Sequence, residues 1–85
     1  MKVLIPSALH SYTGGSKVEA DGSTLAAALA DLDRRYPGIR FRMIDEQNRV
    51  RRHIRFFVDG VQVVDLAHPL DPRGELIIVQ ALSGG

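Results

Sequence analysis

Cysteine is absent from the 85 residues. Disulfides, thiolate metal sites and cysteine nucleophiles are excluded together, and a short chain that folds without staples belongs in the cytoplasm rather than outside the cell. Aromatic residues are scarce at 6%; apart from Phe56 and Phe57, the strands lack them at the intervals on which nucleic-acid bases stack. Long apolar runs are missing as well. None approaches the roughly 20 residues that span a bilayer, and the opening Met1-Lys2-Val3-Leu4-Ile5-Pro6 stops being apolar too early for a secretory signal. Eleven Lys and Arg against ten Asp and Glu leave a net charge of +1, too little for a general attraction to nucleic acid or anionic lipid. Neither is expected as a partner. What is present, 45% apolar and 25% charged residues, is an ordinary globular composition sized for one domain.

Turn residues divide the chain into elements without a linker or an internal repeat. Lys2 to Leu9 reads as a strand, Ser11-Tyr12-Thr13-Gly14-Gly15 as a glycine turn, and Lys17 to Ala20 as a short strand returning beside the first. Asp21-Gly22-Ser23-Thr24 offers N-caps, and Leu25, Leu29, Leu32 and Tyr36 follow at the spacing of one helical stripe. Pro37-Gly38 ends that helix. Ile39 to Ile44 makes a further helical turn, Asp45 to Asn48 a loop, and Val50 to Val58 a long strand. Asp59-Gly60 is a strong hairpin signal leading into Val61 to Val64. Pro69, Pro72 and Gly74 punctuate a connection before the last strand, Leu76 to Leu82.

This order predicts an α+β domain with one main helix across one face of a mixed sheet of four to five strands. One helix covers one face only. Yet Leu76-Ile77-Ile78-Val79 is apolar on both alternating faces, and Phe57 falls opposite Val50, Ile54, Phe56 and Val58, alongside Arg51, His53 and Arg55. Either the last strand is buried on both sides, or the uncovered face carries an apolar patch with a basic rim that docks a partner.

Catalytic signatures are not found. His10, His53 and His68 are scattered without metal-site spacing, so no metal is expected. The serines sit in no nucleophile elbow and the glycine pairs in no phosphate loop. Asp31, Asp33, Asp45 and Glu46 read as helix and loop surface. Basic residues cluster as Arg34, Arg35, Arg40, Arg42, Arg49, Arg51, Arg52 and Arg55, but acids interleave with them, which suits a solvated face or a rim for an acidic partner better than a nucleic-acid footprint.

The sequence closes on Ser83-Gly84-Gly85. At average glycine usage, two terminal glycines arise by chance in about one chain in two hundred. Residues without Cβ make a thin, permissive thread, and Leu82 to Gly85, extended, reaches about 13 Å, enough to enter a narrow site on another protein. The expected division is a domain over residues 1–82 and a flexible tail over 83–85, with the Gly85 carboxylate as the reacting group.

Several segments resemble the ThiS/MoaD family of ubiquitin-like sulfur carriers. They are Met1-Lys2-Val3-Leu4-Ile5, Thr24-Leu25, Pro37-Gly38-Ile39, Arg51-Arg52, Val58-Asp59-Gly60 and Ala81-Leu82-Ser83-Gly84-Gly85, in that order along essentially the whole chain. The stretch from Leu9 to Gly15 and the one between helix and long strand look most like the carriers of cysteine biosynthesis, although family tails often carry proline and alanine where Gln80 and Ser83 stand here. The resemblance implies a ubiquitin-like β-grasp and a protein cosubstrate rather than an enzyme. The resemblance implies no bound cofactor of its own. A ubiquitin-activating-enzyme-like adenylyltransferase using ATP and magnesium would adenylate Gly85, with Gly84 beside it. Sulfide or a persulfide would displace AMP, and the thiocarboxylate would serve a sulfur-accepting biosynthetic enzyme, with a metalloprotease releasing the product in the cysteine branch. The implied partner surface comprises Phe57, Ile77, Val79, Leu82, Ser83, Arg51 and Arg55. A protein modifier joined through Gly85, and a small nucleic-acid-binding or assembly module, are the alternatives.

Overall fold

The apolar stripe after Thr24 folds as helix α2, Leu25–Arg35, in a computed structural model that describes residues 1–81. Thr24 caps it in extended geometry, its Oγ1 accepting from the Ala27 amide at 3.2 Å. The two preceding amides are satisfied from elsewhere: Leu25 donates to the His68 carbonyl at 3.0 Å and Ala26 to that of Leu66 at 2.8 Å. The connection between the last two strands is thereby tied to the helix start, where orphan donors would otherwise face water. Leu25, Ala28, Leu29 and Leu32 are buried along one stripe. Beyond Pro37, Gly38 turns the chain with φ 95° into helix α3, Ile39–Met43, as expected of that segment.

Five strands form one mixed sheet in the order β2-β1-β5-β3-β4. They are β1 Lys2–Leu4, β2 Lys17–Glu19, β3 Ile54–Val58, β4 Val61–Val63 and β5 Glu75–Gln80. At the centre β1 and β5 run parallel, and the other pairs are antiparallel. Val3, Ile54, Phe56, Leu76 and Ile78 point into one core with the buried faces of α2 and α3. The hairpin forms as read: Asp59 and Gly60 both take positive φ, 48° and 85°, the two-residue turn whose twist matches its strands. The Asp59 carboxylate accepts from the Glu75 amide at 2.9 Å and binds the turn to the start of β5.

Three expectations are corrected. The first strand stops at Leu4 rather than Leu9, because Pro6 has no amide hydrogen for a ladder; Ser7–Leu9 form a 3-10 turn and His10–Thr13 form helix α1, closed by Gly14 at φ 75°. Leu9 is buried from that turn, not from a strand. The long strand begins at Ile54 rather than Val50. The Arg51 amide is drawn to the Met43 carbonyl at 2.9 Å and the Ile54 amide turns back to Arg51 at 3.0 Å, which leaves Val50 in an isolated bridge to Ile44. The last strand ends at Gln80. Leu82 and the expected domain boundary at 82/83 lie outside the described residues.

Candidate functional site

On β5 the apolar residues divide by face. Leu76 and Ile78 enter the core, while Ile77 and Val79 stand on the side that carries no helix. Register then decides their company. Ile77 lies opposite Leu4 of β1 and Phe57 of β3, and Phe57 opposite Gln62 of β4. An apolar row, Leu4, Ile77 and Phe57, therefore crosses the three central strands. Val79, 38% exposed, extends it opposite Arg55. At the other end Lys2 and Glu75 pair at 3.6 Å, and Lys17 stands opposite Leu4. Phe57, Ile77 and Val79 thus meet on one open face, and the last strand is not enclosed on both sides. Leu4 was missed because the over-long first strand hid its register; the alternation Val3 in, Leu4 out, Ile5 in carried the signal.

The two arginines expected at the rim behave differently. Arg55 folds its guanidinium back onto the carbonyls of Arg52 at 2.8 Å and Ile54 at 2.9 Å. Arg51 stands away from the row, on the α3 side of the sheet: its guanidinium lies 4.5 Å over the Phe41 ring and its Nε donates to the Phe41 carbonyl at 2.6 Å. The structure brings Phe57, Ile77, Val79 and the Arg55 backbone together, and places Arg51 elsewhere.

Of the acidic groups expected on the surface, Glu46 is exposed and Asp31, Asp33 and Asp45 are half-buried. The Asp21 amide, followed by the Arg34 and Arg35 guanidinium groups, holds the Asp31 carboxyl below its usual range. The Arg49 amide, with that of Gln47, does the same for Asp45. Among the described residues no cluster of three His, Asp or Glu is placed to hold a metal ion. The open face has the makings of a docking surface.

β5 delivers the chain to one end of the sheet. There the Ala81 amide donates to the His53 carbonyl at 2.7 Å, and Leu82, Ser83, Gly84 and Gly85 follow outside the described residues.

The ThiS family model matches residues 3–85. The chain belongs to the ThiS family. Among its relatives, the sulfur carrier protein CysO of Mycobacterium tuberculosis is 34% identical over 89 residues, an alignment covering 98% of this chain and 96% of the relative. This ThiS-family chain superposes on the crystal structure of that organism's CysO with a TM-score of 0.89 at 30% identity, covering 95% and 98% of the two chains. A chain of the Amycolatopsis orientalis BexX/CysO complex matches with a TM-score of 0.90 at 31% identity, covering 99% and 98%. SAMP1 from Haloferax volcanii shares the fold, with a TM-score of 0.80 at 24% identity and coverage of 100% and 98%. The fold is the ubiquitin-like β-grasp, and the chain is a homologue of a sulfur carrier.

Proposed function

We propose that this chain carries sulfur as a thiocarboxylate on Gly85 and acts as a protein cosubstrate in the cytoplasm. The observation that carries the reading is the extent of the relationship: the family match runs through residue 85, and CysO is 34% identical over nearly its whole length. The chemistry belongs to partners. An adenylyltransferase with ATP and magnesium lets a Gly85 carboxylate oxygen attack the α-phosphorus, and pyrophosphate leaves. Sulfide then adds to the acyl carbon and AMP leaves with its bonding pair, which yields the thiocarboxylate. A sulfur-accepting biosynthetic enzyme consumes it, and the CysO relationship favours the cysteine branch, in which a metalloprotease frees the product. Glycine suits the reacting position because a Cβ there would crowd the approach to phosphorus. The Leu4, Ile77 and Phe57 row gives the partner a surface to hold while Leu82 and Ser83 lead Gly84 and Gly85 into its site.

Intact-mass spectrometry tests this. With the adenylyltransferase, ATP, magnesium and sulfide, the protein gains the mass difference of one oxygen-to-sulfur exchange, localised to Gly85 by peptide fragmentation. An unchanged mass, with an adenylyltransferase shown to be active on another carrier, defeats the reading.

A further inference from the structure

Six of the eight arginines between Arg34 and Arg55 separate into two groups once folded. Arg34 and Arg35 pair with Asp31 at 2.6 and 2.9 Å, and Arg40 donates to Asn48 at 3.1 Å. Arg42, Arg51 and Arg52 make no ion pair with a carboxylate among the described residues. These three converge. With Phe41, His53 and Gln80 they line an open-sided cleft of about 470 Å³ between α3 and the 51–53 turn. No acid lines it. Asp45 lies near enough to feel the Arg51 charge, but its carboxylate is occupied by the amides of Gln47 and Arg49.

The cleft is arranged in advance. Phe41 is 55% exposed on a helix whose Ile39 and Met43 are buried, and its ring and carbonyl together hold the Arg51 side chain. A guanidinium fixed in this way has already lost much rotamer freedom, and its remaining donors match a carboxylate in a planar fork. Location supplies the second constraint. Gln80 lines the cleft and Ala81 is bonded to His53 in its wall, so the last described residues of the chain run along it.

We propose that this cleft binds a carboxylate-rich peptide segment of the enzyme that handles the C-terminal tail. It is an anchor on the helix side of the sheet, separate from the Leu4, Ile77 and Phe57 row. The acidic chemistry follows from the three arginines; the occupant's identity as the tail-handling enzyme rests on the sulfur-carrier reading. A peptide is favoured over a small ion because the cleft is roomy, open-sided, lined by three arginines and flanked by the exposed Phe41 ring.

The test is an amide-shift titration of the isotope-labelled 85-residue protein with a hexaglutamate peptide. Shifts should be confined to residues around Phe41, Arg51 to His53 and Gln80. Arg52→Gln should weaken binding about threefold and Arg51→Gln with Arg52→Gln about tenfold, with each variant's amide spectrum checking its fold. Arg73→Gln removes the same charge from an exposed site elsewhere and should change nothing. Equal losses in Arg73→Gln and Arg52→Gln, or shifts scattered over the surface, would reduce the effect to net charge and overturn the proposal. Inorganic phosphate, ATP or a single-stranded oligonucleotide binding the cleft as tightly as the peptide would also overturn it. With the adenylyltransferase, the double variant should raise KM for the carrier at unchanged kcat; an unchanged KM counts against the cleft. Sulfur gain at Gly85, scored on the same samples, keeps the two ideas apart. Sulfur gain without peptide binding overturns the cleft alone, and peptide binding without sulfur gain removes the sulfur-carrier reading while supporting the cleft's chemistry.

Discussion

At Gly22 an added Cβ would stand 2.4 Å from the Ala28 nitrogen and 2.7 Å from the Ala27 carbonyl carbon. Both are helix backbone and cannot swing aside. Gly22→Ala is therefore expected to cost about 1–3 kcal/mol by forcing the chain away from α2, read as a lower denaturant midpoint; an unchanged midpoint would show that the approach is looser than drawn. By residue type Gly22 belongs only to a capping segment, since a close backbone approach leaves no trace in the sequence. Asp31 makes a second prediction at this scale. Its pKa is lowered from 3.8 by the Asp21 amide first and the Arg34 side chain next, so the charged form is the one that folding favours. Its contribution is complete above 3.8 and is lost as pH falls through the lowered folded value. The stability gap between the native protein and Asp31→Asn should be present at neutral pH and close on the acid side of 3.8; a gap independent of pH would remove the ionic explanation.

At the scale of elements, what could be read was what local spacing and turn chemistry dictate. The Leu25, Leu29 and Leu32 stripe, the Thr24 cap and the Asp59-Gly60 hairpin all form where the residues place them. What could not be read depended on partners distant in sequence. The Met43 carbonyl takes the Arg51 amide and shortens β3 at its start, and Leu4 joins Phe57 only through β5, which brings Ile77 between them. The cleft containing Arg51 was invisible for the same reason: the alternation of Arg51 with Phe57 suggested a shared face, but Arg51 precedes the strand and opens the turn that leads into it. The sheet face itself gives the third prediction. Phe57 ends a row whose other side is core, so Phe57→Ala opens no helix contact, and its main effect should fall on docking. Truncating an anchor of this kind costs about 2 kcal/mol or more, measured by calorimetry with the adenylyltransferase and with thermal unfolding as the check on folding. Full affinity in both Phe57→Ala and Val79→Ala would show that the partner docks elsewhere.

Across the whole molecule, stability and function occupy different places. The helices take one side of the sheet and, among the described residues, the core has its last member at Ile78, while the open face lies on the other side and the proposed reacting group comes seven residues later in the sequence. With the proposed role of Gly85, such a division predicts that folding and activation respond independently to a change at the end of the chain. Appending one alanine to Gly85 changes none of the residues that form the described core and sheet, so stability should move by no more than about 0.5 kcal/mol, as for an uncritical surface change. Activation should fall sharply. The carboxylate is carried about 3.3 Å further along an extended chain, and a misplacement of about 1 Å already costs on the order of a hundredfold in rate. The measurements are paired: thermal unfolding of the native and extended proteins, and ATP-pyrophosphate exchange with the adenylyltransferase. Exchange by the extended protein at the native rate would remove Gly85 from the chemistry, and an early unfolding transition would show that the terminus takes part in the fold.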